Sequence, residues 1–226
     1  MGVLARRKNI GLTLLAVLFS LSLFAQASAA PPEGKGPNSG VECPRAGGAQ
    51  VVLDPGHGGD GDSGAYNATY DLWEKDLNLD IAFKTQARLE TAGYTVALTR
   101  TGDYGLGNSE RGEIANACGA DRFIMIHLNG SADPEVNFTQ TFWGKKRKDL
   151  DFSQTMSYAM DSLGIPNNGA GQFANGGLLH AEMPSTLVEA VFLTNDGEAE
   201  QLAYGSRKDE IAGAITAGVQ SSVAPW

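Results

Sequence analysis

Short apolar segments alternate with longer segments of helical periodicity from residue 49 to the C-terminus. A short apolar run bounded by turn-forming residues is typical of a buried strand, whereas apolar positions at helical spacing indicate a helix. The pattern predicts strands at Val51–Leu53, Thr95–Leu98, Phe123–Ile126, Thr139–Trp143 and Leu187–Phe192. It predicts helices at Asp71–Ala92, Ser109–Ala117, Phe152–Leu163 and Lys208–Val219. This alternation predicts an α/β fold, a single domain with a mostly parallel, mixed sheet of about six strands and helices on both faces.

Two histidines lie at the carboxyl ends of predicted strands, where open α/β sheets bind their ligands. His57 occurs in VVLDPGHGGD after the first strand, and Gly58 and Gly59 leave no side chains around its ring. His127 directly follows Phe123–Ile126 and precedes a turn. Either histidine alone is compatible with a structural role. The two together favour a ligand-binding or metal-binding site at this edge.

Two glutamates are candidates for the same site. Glu74 lies near the start of the long predicted helix, where a carboxylate can also serve to complement the helix dipole. Glu189 lies within a strand that is apolar on both faces, so burying its charge costs several kcal/mol unless it is paired or near a metal. Two histidines and one glutamate with an open fourth position form a catalytic zinc set. A buried ion pair is the alternative for Glu189, and the dispersed spacing alone does not decide between these hypotheses.

The N-terminus has the layout of a secretory signal peptide. Three bases at positions 6–8 precede an apolar run at 10–24 and small residues suited to cleavage, which predicts a signal peptide at residues 1–29. An uncleaved N-terminal anchor is the alternative. Residues 30–48 are rich in Pro and Gly and predict a flexible linker before the catalytic domain at 49–226.

The charge of the chain excludes some partners. The formal net charge is −9, and removal of residues 1–29, which hold three bases and no acids, brings it to −9 − 3 = −12. Such a chain is not expected to bind nucleic acid. The basic run Lys145–Lys148 is either a solvated loop or helix start, or a contact for an anionic wall polymer.

Cys43 and Cys118 form either a disulfide or two separate thiols, since an exported protein permits both.

The motifs LDPGHGG, a Glu opening the next helix, IHLN and MPSTLVEAVFLTN occur in this order. This combination resembles the zinc-dependent N-acetylmuramoyl-L-alanine amidases of the amidase_3 type, which are cell-wall hydrolases. The resemblance implies one Zn²⁺ per chain, held by His57, Glu74 and His127. It also implies that Glu189 is the catalytic acid/base in a direct hydrolysis of the amide between N-acetylmuramic acid and L-alanine.

The resemblance brings further expectations and two departures. Arg111 matches a stretch that is structural in the family, and Asp54 and Asn129 are candidates for holding the imidazoles. Val191 stands where the family usually has Gly, and His180 stands where Arg or another polar residue is common. The stretch 132–151 is too short for the inhibitory helix of some members, so we expect activity without an activator.

Other functions remain open from the sequence. A zinc peptidase cutting the peptidoglycan stem peptide is compatible with the same four residues. A non-catalytic peptidoglycan-binding module predicts the loss of one of them, and all four are present. We expect a monomer exported to the periplasm or cell wall, with peptidoglycan as its partner, no stable membrane anchor and no separate wall-binding module.

Overall fold

A computed structural model describes Cys43 and residues 48–226. The predicted signal peptide and almost all of the predicted linker lie outside these residues. Among the helices that are described, none is both long enough and apolar enough to cross a bilayer.

Strands and helices alternate along the described chain. The strands are β1 Val51–Pro55, β2 Tyr66–Asn67, β3 Leu72–Trp73, β4 Val96–Leu98, β5 Arg122–Asn129, β6 Thr139–Trp143, β7 Asn167–Gln172 and β8 Ser185–Phe192. The helices are α1 Glu74–Thr91, α2 Asn108–Ala117, α3 Lys146–Met160, α4 Gly176–His180, α5 Asp196–Tyr204 and α6 Arg207–Gln220, and a 3₁₀ turn at Asp161–Leu163 follows α3.

Six strands form one sheet in the order β4-β1-β5-β8-β6-β7. Neighbouring strands are parallel except for the antiparallel pair β6–β8. The mostly parallel, mixed sheet is therefore as predicted. The carboxyl ends of β1, β5 and β8 share one edge, called here the C-terminal edge, which ends at Pro55, Asn129 and Phe192. Strands β2 and β3 form a separate antiparallel ladder.

Alternate residues of the central strands enter two cores on opposite faces of the sheet. Val51 and Leu53 belong to a larger cluster that also receives α1, α3 and α6, while Val52 belongs to a smaller one closed by α2 and α4. The period of two along a strand explains this division, because successive side chains point to opposite faces. The predicted covering of both faces by helices is confirmed.

Several boundaries differ from the predictions. Helix α1 begins at Glu74 and not at Asp71, because Leu72–Trp73 pairs with β2 and Asp71 has a left-handed φ of +53°. Helix α3 spans Lys146–Met160 instead of Phe152–Leu163, so its first turn lies in a charged segment without an apolar stripe. Strand β7 was not predicted, since its sequence NNGAGQ has no apolar alternation.

A disulfide joins Cys43 to Cys118, which excludes the alternative of two separate thiols. Cys118 caps the end of α2 and is buried in the smaller core. The bond spans 75 residues of sequence. It thereby fastens a residue of the predicted linker to the folded domain.

Candidate metal centre

Three donor groups meet at the C-terminal edge. The Oε1 atom of Glu74 lies 3.1 Å from Nε2 of His57 and 3.1 Å from Nδ1 of His127. One ligand atom from each residue lies within 4.8 Å of the others. Donor atoms on a tetrahedral zinc ion, with bonds of about 2.0–2.1 Å, are about 3.3 Å apart. The two distances to Glu74 Oε1 and the chemistry of the donor set therefore fit a zinc ion.

Glu74 is held by contacts that go beyond the helix-dipole role. As the first residue of α1 it is only 3% exposed, and its Oε2 accepts a hydrogen bond from the Ala65 amide at 2.8 Å. Its Oε1 also accepts from the Leu128 amide at 3.1 Å and from Nδ2 of Asn78 at 3.2 Å. A solvated carboxylate at a helix start has no such contacts. These bonds aim the carboxylate at the two imidazoles.

His57 lies in a strained loop conformation and is oriented by Asp62. Its φ of +62° places a non-glycine residue in the left-handed region, which is common at functional sites. Its Nδ1 lies 2.5 Å from Oδ1 of Asp62, so Nε2 is the nitrogen that faces Glu74. Carboxylates often hold metal-binding histidines in this way. Asp62 was missed in the sequence because only the folding of its glycine-rich loop brings it back to His57.

Two buried arginines hold the backbone of the His57 loop. Arg111 donates to the carbonyls of Pro55 at 3.0 Å and His57 at 2.9 Å. Arg100 donates to the carbonyls of Pro55 at 2.9 Å and Gly56 at 3.0 Å. Arg111 is thus structural, as expected, but the structure it supports is that of the site. Arg100 was not predicted.

Asp54 does not hold an imidazole, so that prediction is wrong. Its Oδ1 accepts from Arg111 at 2.8 Å and from the Thr99 hydroxyl. As a strand residue, Asp54 points to the face of the sheet that α2 covers and not toward the C-terminal edge. Asn129 uses its Oδ1 to accept from the amide of Gly130 at 2.8 Å.

Two glycines make room for the cluster, but they are not the two predicted. A Cβ on Gly56 would lie 2.2 Å from Cε1 of His127, and one on Gly64 would lie 2.4 Å from Oε2 of Glu74. Gly58 and Gly59 instead approach the backbone of residues 104–105. These two glycines therefore serve loop packing, whereas Gly56 and Gly64 allow the donor groups to converge.

Glu189 lies beside the cluster on the neighbouring strand. Its Cα pairs with that of His127 in the parallel register of β8 and β5, and His127 lies within β5 instead of after it as predicted. The Oε2 of Glu189 and the Nε2 of His127 are both buried and have no hydrogen-bond partner in the described part of the chain. No ion pair of Glu189 occurs there, which argues against the buried ion pair considered from the sequence.

The electrostatics of Glu189 suit proton exchange. Burial raises its pKa to about 7; the charge of Glu74 adds to this effect, and the imidazoles of His127 and His57 partly offset it. A carboxyl group in this range can both accept and return a proton near neutral pH.

The charges of the donor set compensate one another. Burial alone would raise the pKa of Glu74, but the hydrogen bonds and charges of His127 and His57 outweigh it and hold this pKa far below its usual range. Burial alone would lower the pKa of His57, but Glu74 and Asp62 outweigh it and raise the pKa to about 9. A metal cation in place of these protons would satisfy the same carboxylate.

Comparison with known proteins assigns the chain to a family. Residues 51–221 match the family model described as N-acetylmuramoyl-L-alanine amidase. The chain belongs to this amidase family. The resemblance inferred from the motifs is therefore confirmed, and the sheet and helices described above are those of amidase catalytic domains.

Relatives and solved structures agree with this assignment. The N-acetylmuramoyl-L-alanine amidase LytC of Bacillus subtilis is 33% identical over 178 residues, covering 77% of this chain and 35% of LytC, so the chain spans about a third of that relative. The amidase AmiC2 of Nostoc punctiforme is 32% identical with a TM-score of 0.70, covering 76% of this chain and 94% of the other. An N-acetylmuramoyl-L-alanine amidase from Clostridium difficile 630 is 30% identical with a TM-score of 0.72, covering 77% and 96%.

The departure at Val191 has a structural basis. Regular alternation would place Leu187, Glu189 and Val191 on one face of β8, but Leu187 lies in the smaller core and Val191 in the larger one. The β5–β8 register shifts by one residue between His127–Glu189 and Asn129–Phe192. This bulge changes the face of the sheet to which the last side chains of β8 point. Val191 therefore packs into the core.

The remaining candidates are the basic run Lys145–Lys148 and His180, and none of them belongs to the donor set. Lys145 precedes α3 and forms an ion pair with Asp149 at 3.0 Å, while Lys148 donates to the Glu182 carbonyl. The basic run is thus a helix start at the edge opposite the site, because β6 runs antiparallel to β8. His180 ends α4, and its Nδ1 donates to the Gly176 carbonyl at 2.9 Å.

Proposed function

We propose that this chain is a zinc-dependent N-acetylmuramoyl-L-alanine amidase that hydrolyses the amide bond between the lactyl group of N-acetylmuramic acid and L-alanine in peptidoglycan. The observation that carries the proposal is the partly buried His57–Glu74–His127 set with Glu189 in register beside it. The names of LytC, AmiC2 and the other solved relative support the same reaction.

His57 Nε2, Glu74 Oε1 and an imidazole nitrogen of His127 would hold one zinc ion. The buried, unpartnered Nε2 of His127 supports this assignment, because such an atom is costly without a partner. When bound, zinc supplies a Lewis acid that polarises a carbonyl and makes water acidic near neutral pH. Asp62 orients His57 toward this position, and the Glu74 carboxylate balances the positive charge.

Glu189 is the proton carrier in this proposal. Its Oε2 accepts a proton from the attacking water and returns it to the departing amine of L-alanine, so the reaction needs no covalent intermediate. The pKa of about 7 suits both transfers, because the group gains and loses its proton at similar free energy. A non-catalytic binding module has no use for a buried carboxylate without a partner.

The proposal also covers the domain organisation of the enzyme and its location. Residues 1–29 are a signal peptide, residues 30–48 a linker and residues 49–226 the catalytic domain of a monomer exported to the periplasm or cell wall. The names of the cell-wall relatives support export.

Purified zinc-loaded protein and isolated peptidoglycan provide the test. We expect mass spectrometry to find intact stem peptides beginning with L-alanine together with peptide-free muramic acid. Fragments cut inside the stem peptide would instead identify a peptidase, and binding without any release would identify a binding module. The Glu189→Gln variant, prepared and loaded in the same way, is the control for contaminating hydrolases.

A further inference from the structure

An exposed pair of stacked aromatic rings belongs to residues that adjoin the donor set along the chain. Tyr66 and Trp73 face each other across the β2–β3 ladder, with ring centroids 4.2 Å apart and planes inclined by 29°. Their exposed fractions are 37% and 40%. We call these two side chains the aromatic platform.

The platform is continuous with the proposed site through the chain. Trp73 directly precedes Glu74. Tyr66 directly follows Ala65, whose amide donates to Oε2 of Glu74 at 2.8 Å. The residues that carry the two rings therefore directly adjoin Glu74 and its partner Ala65 along the chain.

The packing of the ladder does not account for the exposed pair. The inner residues already anchor it: Leu72 packs against the larger core, and Nδ2 of Asn67 donates to the Leu193 carbonyl at 3.1 Å. Tyr66 and Trp73 form the other pair of this two-pair ladder, and both are exposed. The rings stack on each other and still expose 37% and 40% of their surface, and no acceptor for the Trp73 indole N–H occurs among the described residues.

The charges around the platform favour an uncharged ligand. Asp71 accepts from the Tyr66 hydroxyl at 2.8 Å, and Asp62 at His57 is half exposed. The nearby cation, Lys75, is paired with Asp103 at 2.7 Å. Negative charge at this rim disfavours the carboxylates of a stem peptide. The C–H bonds of a neutral sugar ring, in contrast, match the electron-rich face of an aromatic ring.

We propose that the aromatic platform binds an N-acetylated hexosamine ring of the glycan backbone, next to the muramic acid whose peptide is removed. This inference rests on the proposed function, since it locates the glycan part of that substrate. It assigns Trp73 and Tyr66 to substrate binding and not to the proton transfers.

The direct test follows the indole N–H signals of ¹⁵N-labelled zinc-loaded protein during addition of a tetrasaccharide of N-acetylglucosamine, which carries neither lactyl group nor peptide. The chain has three tryptophans, and Trp73→Phe assigns the relevant signal. We expect a saturable shift for Trp73 and none for Trp226, an indole that is 62% exposed and serves as the matched control. An unchanged Trp73 signal, or equal shifts for both indoles, would overturn the proposal.

Affinity for the same tetrasaccharide gives a second measurement. Trp73→Ala should weaken binding about tenfold, the loss expected for one aromatic contact, and Trp73→Phe should retain most of it. Phe83→Ala removes an aromatic ring that is 41% exposed on α1 and should leave the affinity unchanged. If Trp73→Ala does not fold, Tyr66→Ala removes the other half of the pair and takes its place. Wild-type affinity in the folded alanine variant would contradict the platform.

The two proposals can fail separately. Release of L-alanine peptides from peptidoglycan by a protein whose Trp73 ignores the tetrasaccharide overturns the platform alone. A tetrasaccharide shift at Trp73 without any peptide release overturns the amidase reaction alone.

Discussion

Glu74 Oε1 connects parts of the molecule that are far apart in sequence. The atom approaches His57 Nε2 and His127 Nδ1, and it accepts from the amide of Leu128 and from Asn78. A carboxylate that contacts all of these groups has to be ionised and held in one position. The dipole at the start of α1 favours the ionised form. The dipole and ligand interpretations of Glu74 are therefore compatible. Glu189 differs, because its Oε2 is buried without such a partner in the described part of the chain.

Glu189→Gln tests this difference through the pH dependence of stability. The folded-state pKa of about 7 is above the ordinary value of 4.5, so the stability that the protonated carboxyl allows is complete below pH 4.5 and is lost as pH rises through 7. The glutamine variant avoids this loss. We expect metal-free Glu189→Gln to be more stable than the wild type at pH 8, by up to about 3 kcal/mol, with a much smaller gain at pH 5.

The same variant should hold zinc and lose about 10²- to 10⁴-fold in the rate of peptide release. Urea unfolding at both pH values, zinc content and peptide release are measured on one preparation, with the exposed Glu135→Gln as the matched control. A variant that is less stable than the wild type at pH 8 would show that Glu189 is an ion-pair partner instead.

At the scale of elements, the loop between β1 and β2 closes over the first turn of α1. Gly64 in this loop has a φ of +69°, and a Cβ there would meet Glu74 Oε2 at 2.4 Å and His57 Cδ2 at 2.6 Å. The approach of the loop to the helix therefore depends on a missing side chain. Arg100 and Arg111 hold the other end of the loop through its carbonyls.

Gly64→Ala should separate the donor groups. We expect at least a tenfold loss of zinc affinity, because the glutamate or the imidazole has to move, besides about 1 kcal/mol of backbone strain. Gly164→Ala is the matched control, since Gly164 has a similar φ of +70° but a Cβ there would meet no atom within 4 Å. The control should lose similar stability and keep its zinc. Equal zinc affinity in the two variants would contradict the steric argument.

At the scale of the whole molecule, the segment 132–151 bears on regulation. It consists of a loop, strand β6 and the first turns of α3, and β6 pairs with β8 through Gln140 and Glu189. The described residues of this segment include no additional helix that could cover the donor set. We therefore retain the expectation that no helix of this segment blocks the donor set.

We therefore expect the purified protein to release peptides from peptidoglycan without a second protein. The rate should rise in proportion to enzyme concentration, and the Glu189→Gln preparation should show the background. Digestion that starts only after a partner protein is added would contradict the expectation of activity without an activator.

The longer strands and helices of the central sheet and the four candidate residues could be predicted from the sequence for a simple reason. Apolar runs separated by helical periodicity leave few folds other than a parallel α/β sheet, and the ends of such strands meet at one edge. His57 and His127 follow from that geometry, and Glu189 follows from the cost of a charge within an apolar strand. The family motifs then selected Glu74, for which the spacing alone allowed a purely structural role.

Only the tertiary structure decided which groups hold these residues in place. Asp62, Arg100 and Gly64 act through contacts across the loop and α1, and Asp54 binds Arg111 and not an imidazole. The extra residue at the end of β8 and the partner of Cys43 are likewise settled by register and distance. A sequence pattern reports the period and polarity of one segment at a time. Contacts between segments depend on backbone directions and side-chain rotamers, which exist only once the chain is folded.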